Sequence, residues 1–255
     1  MRLRQIAFVA RELDPVVDDL CAVLGIEVCF NDPGVGHFGL HNALLPVNGN
    51  LLEVVAPTRA GTTAGRYLDR RGGDGGYMLL FQCDDASAWR QQLEAKGVRV
   101  VWNSEHDDVI AHHFHPADTP GAIVSIDTML PLADWHAELS SWKWAGPNWQ
   151  QHVRTSRTQA FTAVEIQSDD ADALANRWSA LFARPVTRDS AGRAQIHFDN
   201  MALRFVADRD GRGAGISAVD ILPQDRGAIL AAAEARGRRS GAAQVTLCGV
   251  RFNLL

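Results

Sequence analysis

The stretch HNALLPVNGNLLEVV, residues 41–55, has the pattern of a β-hairpin, because two apolar runs flank an Asn-Gly pair. Asparagine and glycine both tolerate the positive φ that a two-residue hairpin turn requires. Upstream lie a β-like run at 3–9 and an amphipathic helical pattern at 14–24. The chain therefore opens with one copy of a strand, a helix and a hairpin.

This order of elements occurs four times along the chain. The copies span residues 2–57, 77–126, 161–205 and 216–253, and their later helices are expected at 85–95, 170–182 and 224–236. A repeat of this kind decides the architecture before any single motif does. We predict an α+β fold of four βαβββ modules, which form two tandem domains with strongly curved mixed sheets. Each domain would enclose one small-molecule pocket.

A connector at residues 129–157 separates the two pairs of copies. It holds four of the seven tryptophans, at positions 135, 142, 144 and 149, whereas a flexible linker is poor in aromatic residues. We expect it to pack across both halves as a clasp, and the alternative is an aromatic wall over a pocket. The predicted division is 1–128 for a first domain with the candidate active site, then the connector, then a second, degenerate domain of the same kind at 158–255.

Composition narrows the class of protein. The 255 residues are 46% hydrophobic with a net charge of −5, and no basic cluster interleaves with aromatic residues. Nucleic-acid and membrane partners are therefore not expected. No apolar run approaches the roughly 18 residues of a membrane span, and the N-terminus does not resemble a secretion signal. The four cysteines lack CxxC spacing, which indicates reduced thiols and a cytoplasmic protein.

Three stretches resemble the vicinal oxygen chelate superfamily, also called the glyoxalase/bleomycin-resistance/dioxygenase fold. They are LRQIAFV at 3–9, GLHNALLPV with LLEVVAP within 39–57, and HPADTPGAI at 115–123. The second is similar to the glyoxalase-like subgroup. The likeness is strongest in the first half of the chain, while copies three and four match by pattern more than by residues.

In this superfamily each module can place one metal ligand on its first strand and one on its last. The resemblance assigns these slots to Gln5 and Glu53 in copy one, and to Tyr77 or Met78 and Ser125 in copy two. Gln5 stands where histidine is commoner, but its oxygen and those of Glu53 suit a divalent metal. A divalent metal ion of unknown identity is therefore the cofactor that the resemblance implies.

The slots of the second half hold residues of other kinds, namely Ala163, Arg204, Ile216 or Ser217, and Asn253. No metal is expected there. Neither half carries an intact His-His-carboxylate set, so ring-cleaving dioxygenase activity is disfavoured. An inward Arg204 would suit an anion, although a surface arginine or an internal ion pair is the favoured interpretation. The Gly-rich stretch at 69–76 lacks a P-loop lysine and a following helix, which indicates a flexible connection.

Glu53 is the strongest single candidate for chemistry. It shares an apolar strand face with Leu51 and Val55, where a carboxylate costs several kcal/mol unless it is paired, metal-bound or neutral. We interpret it as a metal ligand or a general base, and outward-facing polarity is the alternative. The two-residue turn would point Asn42 inward with Glu53 and His41 away. Asn42, Tyr77 and Ser125 are the expected substrate-binding residues.

Residues 111–115, AHHFH, form the densest histidine cluster. On a strand, His113 and His115 share one face and His112 takes the other. Any of them could supply a ligand missing from the usual slots, so the expected metal set is Gln5, Glu53 and His113. An edge strand with a polar surface is the alternative, and which face meets the pocket stays open.

These features favour a small-molecule lyase or isomerase of the glyoxalase/epimerase kind. A divalent metal, or Glu53 acting as a base, would promote removal of a proton next to a carbonyl. The alternative is a non-catalytic protein of the same fold that binds or sequesters a small molecule, with connector tryptophans as its stacking surface. Metal content would separate the two, and a homodimer is compatible with either.

Overall fold

The computed structural model describes residues 1–132 and 134–255. Its strands form two mixed sheets, of seven and eight strands, and five α-helices accompany them. The α+β fold that the repeats predict is confirmed.

The first sheet has the strand order β2-β3-β1-β4-β7-β6-β5. Its strands are β1 Arg2–Val9, β2 Leu40–Val47, β3 Asn50–Pro57, β4 Gly75–Gln82, β5 Val100–His106, β6 Val109–Phe114 and β7 Ile123–Met129. The second sheet has the order β13-β14-β15-β12-β8-β11-β10-β9. Its strands are β8 Thr158–Ser168, β9 Thr187–Arg188, β10 Ala194–His197, β11 Ala202–Ala207, β12 Gly215–Pro223, β13 Arg239–Gly241, β14 Gln244–Leu247 and β15 Val250–Leu254.

One pairing rule builds both sheets. The last strand of each module pairs in parallel with its first strand, as β3 does with β1, β7 with β4, β11 with β8 and β15 with β12. The first strands of the two modules then pair antiparallel, β1 with β4 and β8 with β12. Copy one departs from the pattern, because the first of its three later strands is only a single bridge between Phe30 and Leu44.

The helices are α1 Leu13–Leu24, α2 Thr63–Arg71, α3 Ala86–Ala95, α4 Ala171–Phe182 and α5 Arg226–Ala235. In three of them an aspartate side chain accepts from a backbone N–H of the first turn and so fixes the start; these caps are Asp85, Asp170 and Asp225. At the end of α1, Gly25 adopts a left-handed φ of 69°. The four expected helices therefore form within two residues of their predicted bounds.

Helix α2 was not predicted. The flexible connection expected at 69–76 is wrong, because residues up to Arg71 are helical and Gly75 already belongs to β4. The helix is short and mostly polar, with Ala64, Leu68 and Arg71 as its buried residues. Arg71 donates to the carbonyls of Arg212 and Gly213, both at 2.9 Å, and so anchors α2 to the second half of the chain.

The two sheets share one apolar core. Phe81 of the first sheet lies 4.7 Å from Phe198 between ring centroids, and Phe8 lies 5.9 Å from Phe252. The other face of the first sheet carries Gln5, Ala7 and Glu53, and is called the inner face below. No helix in the described part of the chain is both long and apolar enough to cross a membrane.

The connector contacts both halves at Arg157, whose guanidinium donates to the Ala22 carbonyl at 2.6 Å and whose carbonyl accepts from the backbone N–H of Gln224 at 2.8 Å. Its buried tryptophans, however, pack on the first sheet. Trp142 and Trp149 are 1% exposed and join an apolar cluster with Ala7, Leu44 and Leu51 of the first sheet. Trp144 packs against the same cluster. These three tryptophans therefore lie against the inner face of the first sheet, where Trp144 supplies part of an aromatic wall over a pocket.

Candidate active site on the inner face of the first sheet

A cavity of about 730 Å³ opens on the inner face of the first sheet. The buried polar side chains in its wall are Gln5, Asn42, Glu53 and Thr62. Apolar and aromatic side chains make most of the remaining wall; among them are Leu40, Val55, Tyr77, Leu80, Trp102 and Trp144. Exposed residues mark the rim, Arg59 and Arg66 among them. The cavity is large enough for a small organic ligand.

Strand register brings the polar residues together. Glu53 lies beside Ala7 in the parallel β1–β3 pair and opposite Leu44 in the β2–β3 hairpin. The two-residue turn places Asn42 diagonally across from Glu53 on the same face, while His41 is exposed on the other. The orientation expected from the hairpin turn therefore forms.

Two side-chain amides hold the Glu53 carboxylate. The Nε2 of Gln5 donates to Oε2 of Glu53 at 2.8 Å, and the Nδ2 of Asn42 donates to Oε1 at 2.7 Å. Each carboxylate oxygen thus accepts one N–H from a buried amide, and the carboxylate is fixed in orientation.

The orientation of both amides is itself fixed. An indole N–H is a donor only, and Nε1 of Trp142 lies 2.7 Å from Gln5, so the atom that faces it must be the amide oxygen. The backbone N–H of Asp32 likewise donates to Oδ1 of Asn42 at 2.8 Å. Both NH2 groups therefore point towards Glu53, and an amide flip would break a buried hydrogen bond.

Burial dominates the electrostatics of Glu53. It raises the pKa of the carboxyl group to about 7, against the opposing effect of the hydrogen bonds from Asn42 and Gln5. The group is therefore close to half-protonated at neutral pH, which is the condition that suits a general base.

The resemblance implies a divalent metal at Gln5, Glu53 and His113, but these residues do not fit one. The Gln5 oxygen accepts from Trp142, and the amide presents N–H groups to Glu53. Both Glu53 oxygens accept N–H donors as well. Within residues 1–132 and 134–255, no three His, Cys, Asp or Glu side chains converge as a metal site would require.

His113 and Tyr77 lie in the cavity wall and carry polar hydrogens. Burial lowers the pKa of His113 to about 3, so its ring is neutral, and it packs on Trp102 at 4.3 Å between ring centroids. Burial raises the pKa of Tyr77 to about 12, so its hydroxyl keeps its proton. Both side chains are hydrogen-bond donors at neutral pH.

The histidine cluster divides between the two faces of β6. His113 and His115 both line the cavity. His112 is fully buried on the opposite face, and neither of its ring nitrogens has a hydrogen-bond partner among the described residues. The alternation expected for a strand therefore decides which histidines reach the cavity.

Ser125, an expected substrate contact, does not line the cavity. Its hydroxyl donates to Asp127, and Asp127 also accepts from Nε1 of Trp144 at 2.8 Å. Burial raises the pKa of Asp127 to about 7, against these two hydrogen bonds. Asp127 was missed in the sequence because the resemblance placed the slot at Ser125. The signal that could have found it is strand alternation, which puts residue 127 on the same face as residue 125.

The second sheet carries an ion-pair network where the first carries the amide-held carboxylate. Arg204 donates to Glu165 at 2.9 Å and to Asp220 at 2.8 Å, and its Nε lies 3.2 Å from Asp189. The internal ion pair that was the favoured interpretation of Arg204 therefore forms.

Comparisons with known proteins match about half of the chain or more. A family model described as a glyoxalase-like domain matches residues 6–182. A Streptomyces coelicolor methylmalonyl-CoA epimerase variant, solved with 2-nitronate-propionyl-CoA, is 24% identical with a TM-score of 0.46, over 51% of this chain and 98% of that one. The Mycobacterium tuberculosis methylmalonyl-CoA epimerase is 23% identical with a TM-score of 0.46, over 51% and 89%. No curated protein matches the chain.

Proposed function

Because the chain belongs to the glyoxalase-like domain family, within the vicinal oxygen chelate superfamily, we propose that it is a small-molecule lyase or isomerase of the epimerase kind. In this proposal Glu53 is the base that removes a proton from a carbon next to a carbonyl group. The observation that carries it is a single buried carboxylate in the cavity wall, held by two amides and with a pKa raised to about 7.

The proposed step needs few groups. The carbon-bound proton moves to an oxygen of Glu53, and the electron pair of the C–H bond passes to the substrate carbonyl oxygen. His113 and Tyr77, as neutral donors in the cavity wall, would stabilise the negative charge on that oxygen. Return of the proton by Glu53 to a neighbouring carbon gives an isomer. An epimer needs a proton delivered to the opposite face of the carbon by a donor other than Glu53, for which His113 and Tyr77 are the neutral donors in the wall, and proton exchange with solvent then restores both groups.

The other residues have supporting roles in the proposal. Gln5 and Asn42 orient the base rather than bind a metal, since their N–H groups already face Glu53. The apolar wall would hold the body of the substrate and keep water from the anionic intermediate. Members of the superfamily often bind divalent metal ions, but the donor set here does not fit one, because the Gln5 oxygen faces Trp142 and its N–H faces Glu53.

A non-catalytic binding protein of the same fold is the second candidate. It is favoured by the aromatic part of the cavity wall, where Trp102 and Trp144 offer flat apolar surfaces. Such a protein would hold its ligand without moving a proton, so the two candidates differ in one measurable property.

That property is exchange of a carbon-bound proton with solvent deuterium. We would incubate the protein in D2O with a panel of compounds bearing a C–H next to a carbonyl, and follow the proton signal by NMR. Methylmalonyl-CoA, which a solved epimerase with a similar fold binds, is one member of the panel. We expect exchange with at least one compound, and a loss of about 10²–10⁴-fold in Glu53→Gln.

The matched control is Glu94→Gln, the same change at an exposed glutamate on α3. It should exchange at the wild-type rate. Saturable binding of a panel compound with no exchange in the wild type would contradict the enzyme and favour the binding protein. Equal exchange in wild type and Glu53→Gln would remove Glu53 from the role of base.

A further inference from the structure

We propose that Trp142 of the connector is a positioning residue for Glu53 and acts on it through Gln5. This inference rests on the proposed function, since it assigns the connector a part in setting up the base. The link is a chain of two hydrogen bonds. The indole N–H of Trp142 donates to the Gln5 oxygen at 2.7 Å, and the Gln5 nitrogen donates to Glu53 at 2.8 Å.

This chain of hydrogen bonds is largely shielded from solvent. Trp142 and Gln5 are each 1% exposed, and Glu53 is 7% exposed. An amide has two possible orientations, and without a fixed donor at its oxygen it could turn that oxygen towards the carboxylate. The donor-only indole excludes this orientation, because a flip would place two N–H groups against each other in a buried site.

The same bond changes the chemical character of the Gln5 slot. The resemblance assigns this position to a metal ligand, which must offer a lone pair. Here the oxygen of Gln5 points towards Trp142 and away from Glu53, and the side chain offers an N–H to Glu53. The hydrogen bond from the connector thus makes Gln5 present a hydrogen-bond donor, rather than a lone pair, towards Glu53. At this position the side chain stabilises a carboxylate rather than a cation.

A second connector tryptophan provides a built-in comparison. Trp149 is as deeply buried as Trp142, and the guanidinium of Arg4 lies over both rings, at 5.9 Å from Trp142 and 5.1 Å from Trp149. The indole N–H of Trp149, however, has no hydrogen-bond partner among the described residues. Replacement of each tryptophan by phenylalanine removes similar packing, but only Trp142→Phe removes a bond that leads to Glu53.

The test is an NMR titration of the Glu53 carboxyl carbon in protein labelled with ¹³C-glutamate, with the signal assigned by its loss in Glu53→Gln. We expect Trp142→Phe to raise the Glu53 pKa by about half a unit to one unit, because Gln5 then ceases to be a fixed donor to the carboxylate. Trp149→Phe should leave the Glu53 pKa at its wild-type value. The acid limb of the proton-exchange pH profile should move with the Glu53 pKa.

A double-mutant cycle tests whether the effect passes through Gln5. In a Gln5→Leu background, Trp142→Phe should cause no further shift, since the intermediate link is already absent. A shift of the same size in that background would overturn the proposal, as would equal shifts in Trp142→Phe and Trp149→Phe.

A measurement on the wild type removes the dependence on variants that fold. The indole N–H signal of Trp142 should move with pH and follow the Glu53 midpoint, while that of Trp149 should not. A Trp142 signal that ignores the Glu53 titration would overturn the inference. If the Trp142 signal follows the Glu53 titration but Glu53→Gln still exchanges the carbon-bound substrate proton at the wild-type rate, the proposed function fails and the positioning role stands. If Glu53→Gln abolishes this exchange but the Trp142 signal ignores the Glu53 titration, the proposed function stands and the positioning role fails.

Discussion

The two sheets are built from the same module, but the corresponding strand position carries a buried carboxylate in the first sheet and a buried arginine in the second. In the first sheet Glu53 accepts from two neutral amides and has no cation beside it among its hydrogen-bond partners. In the second sheet Arg204 occupies the corresponding strand position and lies between Glu165 and Asp220. The residue at one strand position therefore decides whether the face keeps a carboxylate without a counter-charge or an ion-pair network.

This difference separates chemistry from stability within one fold. Burial raises the pKa of Glu53, whereas for Arg204 the ion pairs with Asp220 and Glu165 outweigh burial and raise the pKa of the guanidinium. A buried carboxylate without a counter-charge is costly to the folded state, and such costs persist at sites of function. Carboxylates that are paired with a buried arginine are not free to react, which suits a structural role.

The largest effect is expected when the buried arginine is removed from the ion-pair network of the second sheet. Arg204→Met should destabilise the fold by about 3–5 kcal/mol, because it leaves several carboxylates together in a buried place. Chemical denaturation measures the effect. The control is Arg193→Met, since Arg193 pairs with Glu165 and Asp189 but its side chain is 38% exposed. That change should cost about 1 kcal/mol or less. Equal losses in the two variants would contradict a structural role for the buried arginine.

A second prediction concerns how stability depends on pH through Glu53. The folded-state pKa of about 7 lies above the ordinary value of 4.5, so the folded protein holds this proton to higher pH than the unfolded chain. The contribution of the raised Glu53 pKa to the stability of the folded protein is therefore complete below pH 4.5 and is lost as the pH rises through 7. The free energy of unfolding of the wild type, minus that of Glu53→Gln, should therefore fall by roughly 3 kcal/mol between pH 4 and pH 8.

Asp127 titrates in both proteins, so the difference between them isolates Glu53. Glutamine at position 53 would also place an NH2 group against Gln5 or Asn42, a mismatch whose cost is the same at every pH. The test is therefore how the difference in unfolding free energy between the two proteins changes with pH, and denaturation curves at several pH values measure it. A difference that stays constant across this range would mean that Glu53 has an ordinary pKa.

The smallest expected effect concerns Ser125. Because its hydroxyl donates to Asp127 behind Trp144, Ser125→Ala should lower stability by about 1 kcal/mol. Substrate KM should stay unchanged, since Ser125 does not line the cavity. A several-fold rise in KM with unchanged stability would restore Ser125 to the substrate contacts expected from the sequence.

Local rules predicted much of the site from the sequence. The Asn48-Gly49 turn fixes the register of its hairpin, so alternation alone oriented Asn42 and Glu53. Alternation also separated His113 from His112. The unpredicted α2 has too few apolar residues to show a helical pattern. In each correct case the deciding contacts lie within a few residues along the chain.

The features of the site that the sequence did not predict depend on contacts between distant segments of the chain. Trp142 and Gln5 are 137 positions apart, and their hydrogen bond exists only because the connector docks on the first sheet. That docking decides which end of the Gln5 amide faces Glu53, and with it whether the slot suits a cation. The resemblance supplied the positions of the slots but not this orientation, so it implied a metal set that the side chains do not form.

The pKa of Glu53 in the wild-type protein tests the central claim most directly. A ¹³C NMR titration of the glutamate carboxyl carbons, with Glu53 identified by its loss in Glu53→Gln, measures it without a substrate or an assay. We predict a midpoint near 7, set by burial against the two amide hydrogen bonds. A midpoint at or below the ordinary value of 4.5 would contradict a free buried base, and with it the difference drawn between the two sheets.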